Sequence, residues 1–120
     1  MSKKIVVVDD QVDMLRLIKP MLSRKGYEVE TDQTGEILVN LKNRLPDLII
    51  LDINLQVNDG VELCRKLKTD SKTKDIPVIL ISAVMDLKKI SKECGAEDYL
   101  AKPFTGTELI DKVQALLEAA

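Results

Sequence analysis

The amino-acid sequence predicts an α/β protein in which one parallel β-sheet is covered by helices on both faces. Two observations lead to this prediction. Short apolar runs that are typical of buried strands alternate along the chain with segments whose apolar residues recur at helical spacing. The connections are short, and the 120 residues contain no linker, repeat or low-complexity stretch. We therefore expect a single domain over residues 1–120.

Five segments have the pattern of strands, and four of these are apolar runs that predict burial on both faces. The four runs are KIVVV at 4–8, DLIILD at 47–52, PVILIS at 77–82 and DYLA at 98–101. The remaining segment, YEVET at 27–31, alternates between apolar and polar residues. That alternation favours a strand at the edge of the sheet.

A helix is expected after each strand, because apolar residues there recur every three or four positions. The helices should cover about 13–24, 35–44, 59–68, 86–94 and a last segment from Thr105. The first should end at Gly26 and be bent by Pro20. Its inward face is expected to comprise Met14, Leu15, Leu17, Ile18, Met21 and Leu22. The last should begin with a capping box between Thr105 and Glu108.

Five alternating strands and helices imply right-handed crossovers and a doubly wound, flavodoxin-like sheet. The strand order expected for such a sheet is 2-1-3-4-5. Ligands of these folds bind beyond the carboxyl ends of the strands, where the order reverses. The functional site should therefore lie at the ends of strands 1 and 3.

The composition excludes several classes of function. A net charge of −2, with lysines interleaved among acids, argues against a nucleic-acid surface. No apolar run reaches the roughly 18 residues of a membrane span, and the one after MSKK is too short for a signal peptide. Histidine is absent, which excludes histidine catalysis by this chain. Cys64 and Cys94 have no metal or redox spacing and are expected to be buried and reduced, which fits a cytoplasmic protein.

Five polar residues stand at the predicted carboxyl ends of the strands. Asp9 and Asp10 follow strand 1 and Asp52 ends strand 3, whereas Ser82 ends strand 4 and Lys102 follows strand 5. Two carboxylates about 4 Å apart repel by about 4 kcal/mol at an effective dielectric constant of about 20. A divalent cation between strands 1 and 3 would offset this repulsion.

These residue types also indicate a chemistry. Oxygen ligands without nearby histidine or cysteine suit Mg²⁺. Asp52 could then act as a nucleophile that forms an aspartyl phosphate, with Ser82 and Lys102 contacting the phosphoryl group. Each residue alone has an ordinary explanation, such as a helix cap for the aspartates or a surface position for the lysine. The combination on the matching strands favours the functional interpretation.

Several motifs together resemble the receiver domains of bacterial two-component response regulators. They are VVDDQ at 7–11, LIILDIN at 48–54, DG at 59–60, ILISA at 79–83 and GAEDYLAKPF at 95–104. The resemblance covers essentially the whole chain. It implies a phosphorylation-dependent signalling switch, which accepts a phosphoryl group from a sensor histidine kinase or phosphotransfer protein. The output would be a downstream target protein or an output domain that this sequence lacks.

The resemblance also assigns residues to the phosphorylation site. It implies that Asp52 is the phosphoacceptor and that Ser82 and Lys102 bind the phosphoryl group. Asp9 and Asp10 would hold Mg²⁺ together with Asp52. The backbone carbonyl of Asn54 would be a further ligand.

Further positions are assigned to signalling by the same resemblance. Tyr99 matches the aromatic switch position, which would respond to movement of Ser82 and change the surface formed by helix 4, strand 5 and helix 5. The peptide bond between Lys102 and Pro103 is expected to be cis. Asn54 and Val84 would flank the path of the hydrolytic water and so set the lifetime of the phosphorylated state.

The sequence departs from the family pattern in the loop after strand 3. Leu55 and Gln56 stand where the family usually has Met-Pro, and Asn58 replaces a more common apolar residue. Loss of the proline should loosen this loop.

Two other functions would require different residues at these positions. A phosphatase of the haloacid dehalogenase type would need an acidic residue two positions after its nucleophile, where this chain has Asn54. A degenerate receiver that only binds proteins should have lost Asp10, Asp52 or Lys102, and all three are present. The sequence thus favours a switch that catalyses its own phosphoryl transfer and slow autodephosphorylation, not an enzyme that turns over an external substrate.

Overall fold

Five parallel strands form the centre of the fold, in the order β2-β1-β3-β4-β5. The structure is a computed structural model and describes residues 2–41 and 44–118. Its strands are β1 (Lys4–Val8), β2 (Glu28–Asp32), β3 (Leu48–Asp52), β4 (Val78–Ser82) and β5 (Asp98–Ala101). The predicted order is confirmed, and β2 lies at an edge as its alternating sequence indicated.

The helices cover both faces of the sheet. They are α1 (Val12–Ser23), α2 (Glu36–Val39), α3 (Gly60–Thr69), α4 (Leu87–Cys94) and α5 (Gly106–Leu117). Alternate residues of the central strands pack into two apolar clusters, one beneath α1 and α5 and one beneath α2, α3 and α4. This burial on both faces explains why β1, β3 and β4 are continuous apolar runs.

The second helix is shorter than predicted. The expected helix at about 35–44 ends at Val39, while positions 42–43 lie outside the described residues. Both the backbone N–H and the side-chain amide of Asn40 donate to the carbonyl of Glu36. The backbone bond is the ordinary helical one, whereas a side-chain bond of this kind competes with continuation of the helix, and the Asn40 backbone leaves the helical region.

The expected inward face of α1 was wrong at one position. Leu15, Ile18 and Leu22 are buried, but Leu17 is 64% exposed. Leu17 lies about 100° around the helix from Ile18, outside the stripe that faces the sheet. Pro20 lies inside α1 as predicted.

Two local predictions are confirmed. Thr105 and Glu108 form the capping box at the start of α5, since the Thr105 hydroxyl accepts from the Glu108 N–H and the Glu108 carboxylate accepts from the Thr105 N–H. Cys64 and Cys94 are buried free thiols.

In the described part of the chain, no helix has both the length and the apolar character needed to cross a bilayer.

Candidate functional site

Three carboxylates meet at the carboxyl ends of β1 and β3. Asp9, Asp10 and Asp52 each contribute one oxygen, and the three oxygens lie within 4.8 Å of one another. Asp9 has no accessible surface and Asp52 is 4% exposed, while Asp10 is half-buried. The structure thus brings together the acidic residues that the sequence placed on strands 1 and 3.

Lys102 lies between the two buried carboxylates. Its Nζ donates to Asp9 Oδ2 over 2.9 Å and to Asp52 Oδ2 over 3.1 Å. The Lys102 backbone N–H donates to the carbonyl of Ser82, which fixes the chain as it leaves β5. The peptide bond from Lys102 to Pro103 is cis.

The charges of this cluster are only partly balanced. The pKa of Asp9 is raised overall, because the effect of burial exceeds that of the hydrogen bonds from the Gln11 N–H and from Lys102, which lower it. Burial lowers the pKa of Lys102, but Asp9 and Asp52 outweigh it, so that the net shift is upward. When all four groups are ionised, three carboxylates face one ammonium, and a divalent cation would neutralise the excess. Oxygen donors of this kind suit Mg²⁺.

Ser82 and Asn54 are joined by a side-chain hydrogen bond. Ser82 is 1% exposed, and its Oγ accepts from Asn54 Nδ2 over 3.2 Å and from the Val84 N–H over 3.2 Å. Val84 itself is half-buried. The structure therefore brings Asn54 and Val84, the two residues expected to flank the path of the hydrolytic water, to the same hydroxyl.

The start of α3 lies very close to the end of β3. A Cβ at Gly60 would lie 2.4 Å from the carbonyl oxygen of Asp52 and 2.4 Å from the Cα of Ile53. Asp59 caps the helix by accepting from the Val61 N–H. The DG pair is thus explained by packing next to Asp52: the glycine permits the approach and the aspartate starts the helix.

Tyr99 lies on the same face of the sheet as Ser82. It is paired in register with Leu80, two residues before Ser82 on β4, and packs half-buried against the cluster beneath α3 and α4. Lys112 Nζ lies 5.7 Å from the centre of its ring.

Sequence reasoning missed a polar connection between the loop after β3 and the turn after β2. The Asn58 side chain donates to the backbone carbonyl of Thr34 over 2.6 Å. The only signal was that Asn58 replaces a residue that is more often apolar.

Comparison with known proteins identifies the class to which this fold and site belong. A family model described as the response regulator receiver domain matches residues 5–114. The chain belongs to this family. Receiver domains of two-component systems are signalling proteins that interact with histidine kinases, and they are not enzymes that turn over an external substrate.

Particular relatives support the same assignment. The phosphate regulon transcriptional regulatory protein PhoB of Pseudomonas aeruginosa is 40% identical over 119 residues, which are 97% of this chain and 52% of that protein. The alkaline phosphatase synthesis transcriptional regulatory protein PhoP of Bacillus subtilis is 38% identical over 120 residues, covering 98% of this chain and 49% of that protein. The chain thus spans about half the length of these curated relatives.

Solved structures also match over the whole chain. A putative response regulator from Chloroflexus aurantiacus has a TM-score of 0.91 and 32% identity, with 98% of this chain and 99% of that chain covered. The receiver domain of sensor histidine kinase PA1611 from Pseudomonas aeruginosa has a TM-score of 0.88 and 26% identity, with 99% and 100% covered. That structure has a magnesium ion coordinated in its active site cleft.

Proposed function

We propose that this chain is a phosphorylation-dependent switch that accepts a phosphoryl group on Asp52. The observation that carries the proposal is the position of the Asp52 carboxylate, which lies 3.1 Å from Lys102 Nζ and within 4.8 Å of oxygens from Asp9 and Asp10. The Asp52 carboxylate is thus hydrogen-bonded to the Lys102 ammonium and lies close to the carboxylate oxygens of Asp9 and Asp10.

Mg²⁺ would be held by Asp9, Asp10, Asp52 and the backbone carbonyl of Asn54. The bound ion would supply positive charge that offsets the carboxylates and the transferring phosphoryl oxygens. The hard oxygen donors of the acidic cluster fit this ion and do not fit a metal that prefers nitrogen or sulfur. The magnesium in the cleft of the related PA1611 receiver supports the assignment.

Phosphoryl transfer would then proceed from a phosphohistidine of a sensor histidine kinase or phosphotransfer protein. A carboxylate oxygen of Asp52 attacks phosphorus, an O–P bond forms, and the N–P bond to the donor imidazole breaks with its electron pair left on nitrogen. Lys102 stabilises negative charge on the phosphoryl oxygens. The Ser82 hydroxyl, which accepts from Asn54 and Val84, still has its own hydrogen to donate to a phosphoryl oxygen.

The readout of phosphorylation would be carried by Ser82 and Tyr99. Because both side chains lie on one face of the sheet, movement of Ser82 toward the phosphoryl group would open space toward which the Tyr99 ring can turn. The surface of α4, β5 and α5 would change shape as a result. Lys88, Lys89 and Lys92 are exposed on α4, which favours an acidic partner face.

The whole sequence, residues 1–120, would act as a single cytoplasmic receiver domain. Its output would be a downstream target protein or an output domain outside this sequence. Direct contact with nucleic acid or membrane is not part of the proposal. The retained Asp10, Asp52 and Lys102 favour the switch over a receiver that only binds proteins, and the Asn54 amide that contacts Ser82 supplies no second acid for a phosphatase.

The experiment that tests this function is phosphorylation by acetyl phosphate with Mg²⁺, followed by intact-protein mass spectrometry. Wild-type protein should gain one phosphoryl group, and Asp52→Asn should gain none because an amide is a poor nucleophile. The Asp47→Asn variant, at a half-buried aspartate just before β3, serves as the matched control and should be modified like wild type. Full modification of the Asp52→Asn protein would show that a residue other than Asp52 accepts the phosphoryl group.

A further inference from the structure

The loop between β3 and α3, residues 53–59, is attached to the rest of the fold by a side chain at its far end. Asn58 is half-buried, and its Nδ2 donates to the backbone carbonyl of Thr34 over 2.6 Å. Asn54 and Asp59 form an isolated antiparallel bridge within the same loop, and the Gly60 N–H donates to the carbonyl of Ile53. The bond from Asn58 therefore restrains the loop segment that carries Asn54.

The turn that receives this bond is itself fixed. The carboxylate of Asp32, at the end of β2, accepts from the Gly35 N–H over 2.9 Å and from the Ile37 N–H over 3.1 Å. The Asp32 carbonyl accepts from the Asp9 N–H over 3.1 Å. A path of hydrogen bonds thus runs from Asp9 on one side of the acidic cluster, through Asp32 and the turn, to Asn58.

The turn and the loop also pack closely. Gly35 is buried with φ near +90°, and a Cβ there would lie 2.7 Å from Leu63 Cδ1, 3.3 Å from Leu55 Cδ1 and 3.6 Å from Asn58 Nδ2. Glycine at position 35 thus permits the turn to approach α3 and the loop closely, and the Asn58 bond opposes movement of the loop away from the turn.

We propose that Asn58 is a positioning residue for the metal site. By holding the loop on the turn after β2, it presets the Asn54 carbonyl relative to the carboxylates of Asp9, Asp10 and Asp52. The inference rests on the proposed function, because it concerns the Mg²⁺ site at those residues. The Asn58 bond would also counteract the loosening expected from Leu55 and Gln56 in place of Met-Pro.

The test compares Mg²⁺ binding in wild type, Asn58→Leu, Asn58→Ala and the control Gln56→Ala. Leucine keeps the size of asparagine and removes the donor, while Gln56 is an exposed residue of the same loop. Mg²⁺ affinity is measured by NMR titration of backbone amides, and the rate of phosphorylation by acetyl phosphate is measured against Mg²⁺ concentration. Circular dichroism establishes that each variant is folded at the working temperature.

Both Asn58 variants should bind Mg²⁺ about tenfold more weakly, the lower end of the effect of removing a supporting partner of a metal ligand. The Mg²⁺ concentration for half-maximal phosphorylation should rise by the same factor, with the rate at saturating Mg²⁺ unchanged and Gln56→Ala like wild type. Unchanged affinity in both variants, or a lower rate that excess Mg²⁺ does not restore, overturns the positioning role. Absence of Mg²⁺ binding in wild type would instead overturn the proposed function.

Discussion

The side-chain amide of Asn54 donates to the hydroxyl oxygen of Ser82 over 3.2 Å and so joins the loop after β3 to the end of β4. In this arrangement one N–H of the amide is used by Ser82. If movement of Ser82 toward a phosphoryl group on Asp52 carries its oxygen out of reach of Asn54, that N–H becomes available to orient a water molecule. We therefore expect the pair to link the switch movement to the lifetime of the phosphorylated state.

Replacement of Asn54 by leucine should slow autodephosphorylation. Leucine has a similar size but cannot orient a water molecule, and the loss of one hydrogen bond of about 1 kcal/mol corresponds to a rate about fivefold lower. The measurement is the decay of phosphorylated protein after removal of acetyl phosphate, followed by mass spectrometry. Gln56→Leu, at an exposed position of the same loop, is the control. A decay rate equal to that of wild type would show that the Asn54 side chain does not contribute to autodephosphorylation.

Replacement of Val84 should have the opposite effect. Val84 is half-buried beside Ser82, where its backbone N–H donates to the hydroxyl and its apolar side chain cannot hydrogen-bond to water. We expect slow autodephosphorylation in wild type and a rate about fivefold higher in Val84→Gln and Val84→Glu, again the equivalent of one hydrogen bond. The neighbouring Met85 is fully exposed, so Met85→Gln should decay like wild type. Equal rates in all four proteins would remove position 84 from control of the lifetime.

Tyr99→Ala should uncouple phosphorylation from output. The ring packs on the face of the sheet that also carries Ser82, but Tyr99 is not in hydrogen-bond contact with the acidic cluster among the described residues. Phosphorylation should therefore stay near the wild-type rate, while partner capture that depends on beryllofluoride and Mg²⁺ is weakened. Moving a two-state equilibrium from 1:99 to 99:1 takes about 5.5 kcal/mol, so loss of the contacts of the Tyr99 ring should lower the active fraction without abolishing it.

The control for this prediction is Tyr99→Phe, which keeps the ring and should keep most of the phosphorylation-dependent binding. A crystal structure with beryllofluoride provides an independent check. It should show Tyr99 turned inward and the Ser82 hydroxyl on the phosphate mimic. One and the same Tyr99 rotamer with and without the mimic would assign the output to a different element.

Much of the fold could be predicted because strands of a parallel sheet that are buried on both faces consist of nearly continuous apolar residues. The apolar runs at β1, β3 and β4 gave strand positions to within a residue. The strand order was the one expected for a flavodoxin-like doubly wound sheet, and with it came the meeting of Asp9, Asp52 and Lys102 at one edge.

The details that the sequence did not predict depend on single polar contacts. The backbone leaves the helical region at Asn40, whose side chain bonds to the Glu36 carbonyl, and periodicity cannot detect such a contact. The Asn54 amide could have faced solvent or Ser82 with no change in the sequence pattern. The bond from Asn58 joins residues 24 positions apart, so it becomes visible only when β2 and β3 are placed in space.

A hydrogen bond far from the acidic cluster gives a prediction about stability and pH. The Tyr27 hydroxyl donates to Glu118 Oε2 over 2.5 Å, which ties the end of α5 to the start of β2. Burial, followed by the hydrogen bond and the negative charge of Glu118, raises the pKa of Tyr27 to about 12. The protonated phenol is thus favoured in the folded state relative to an unfolded tyrosine, whose pKa is about 10.

Tyr27→Phe should therefore lower the free energy of unfolding at neutral pH by about 0.5–1 kcal/mol, the net value of one hydrogen bond at a half-exposed site. Because the folded-state pKa is raised, the contribution of the hydroxyl is complete below about pH 10 and is lost as the pH rises toward about 12. Urea unfolding of both proteins across that range should show the difference shrinking. Wild type contains two tyrosines, so the ultraviolet titration of Tyr27→Phe reports Tyr99 alone, and subtraction from wild type gives Tyr27 directly. A Tyr27 titration at the ordinary pKa, with a stability difference that does not change with pH, would show that the bond to Glu118 does not hold in solution.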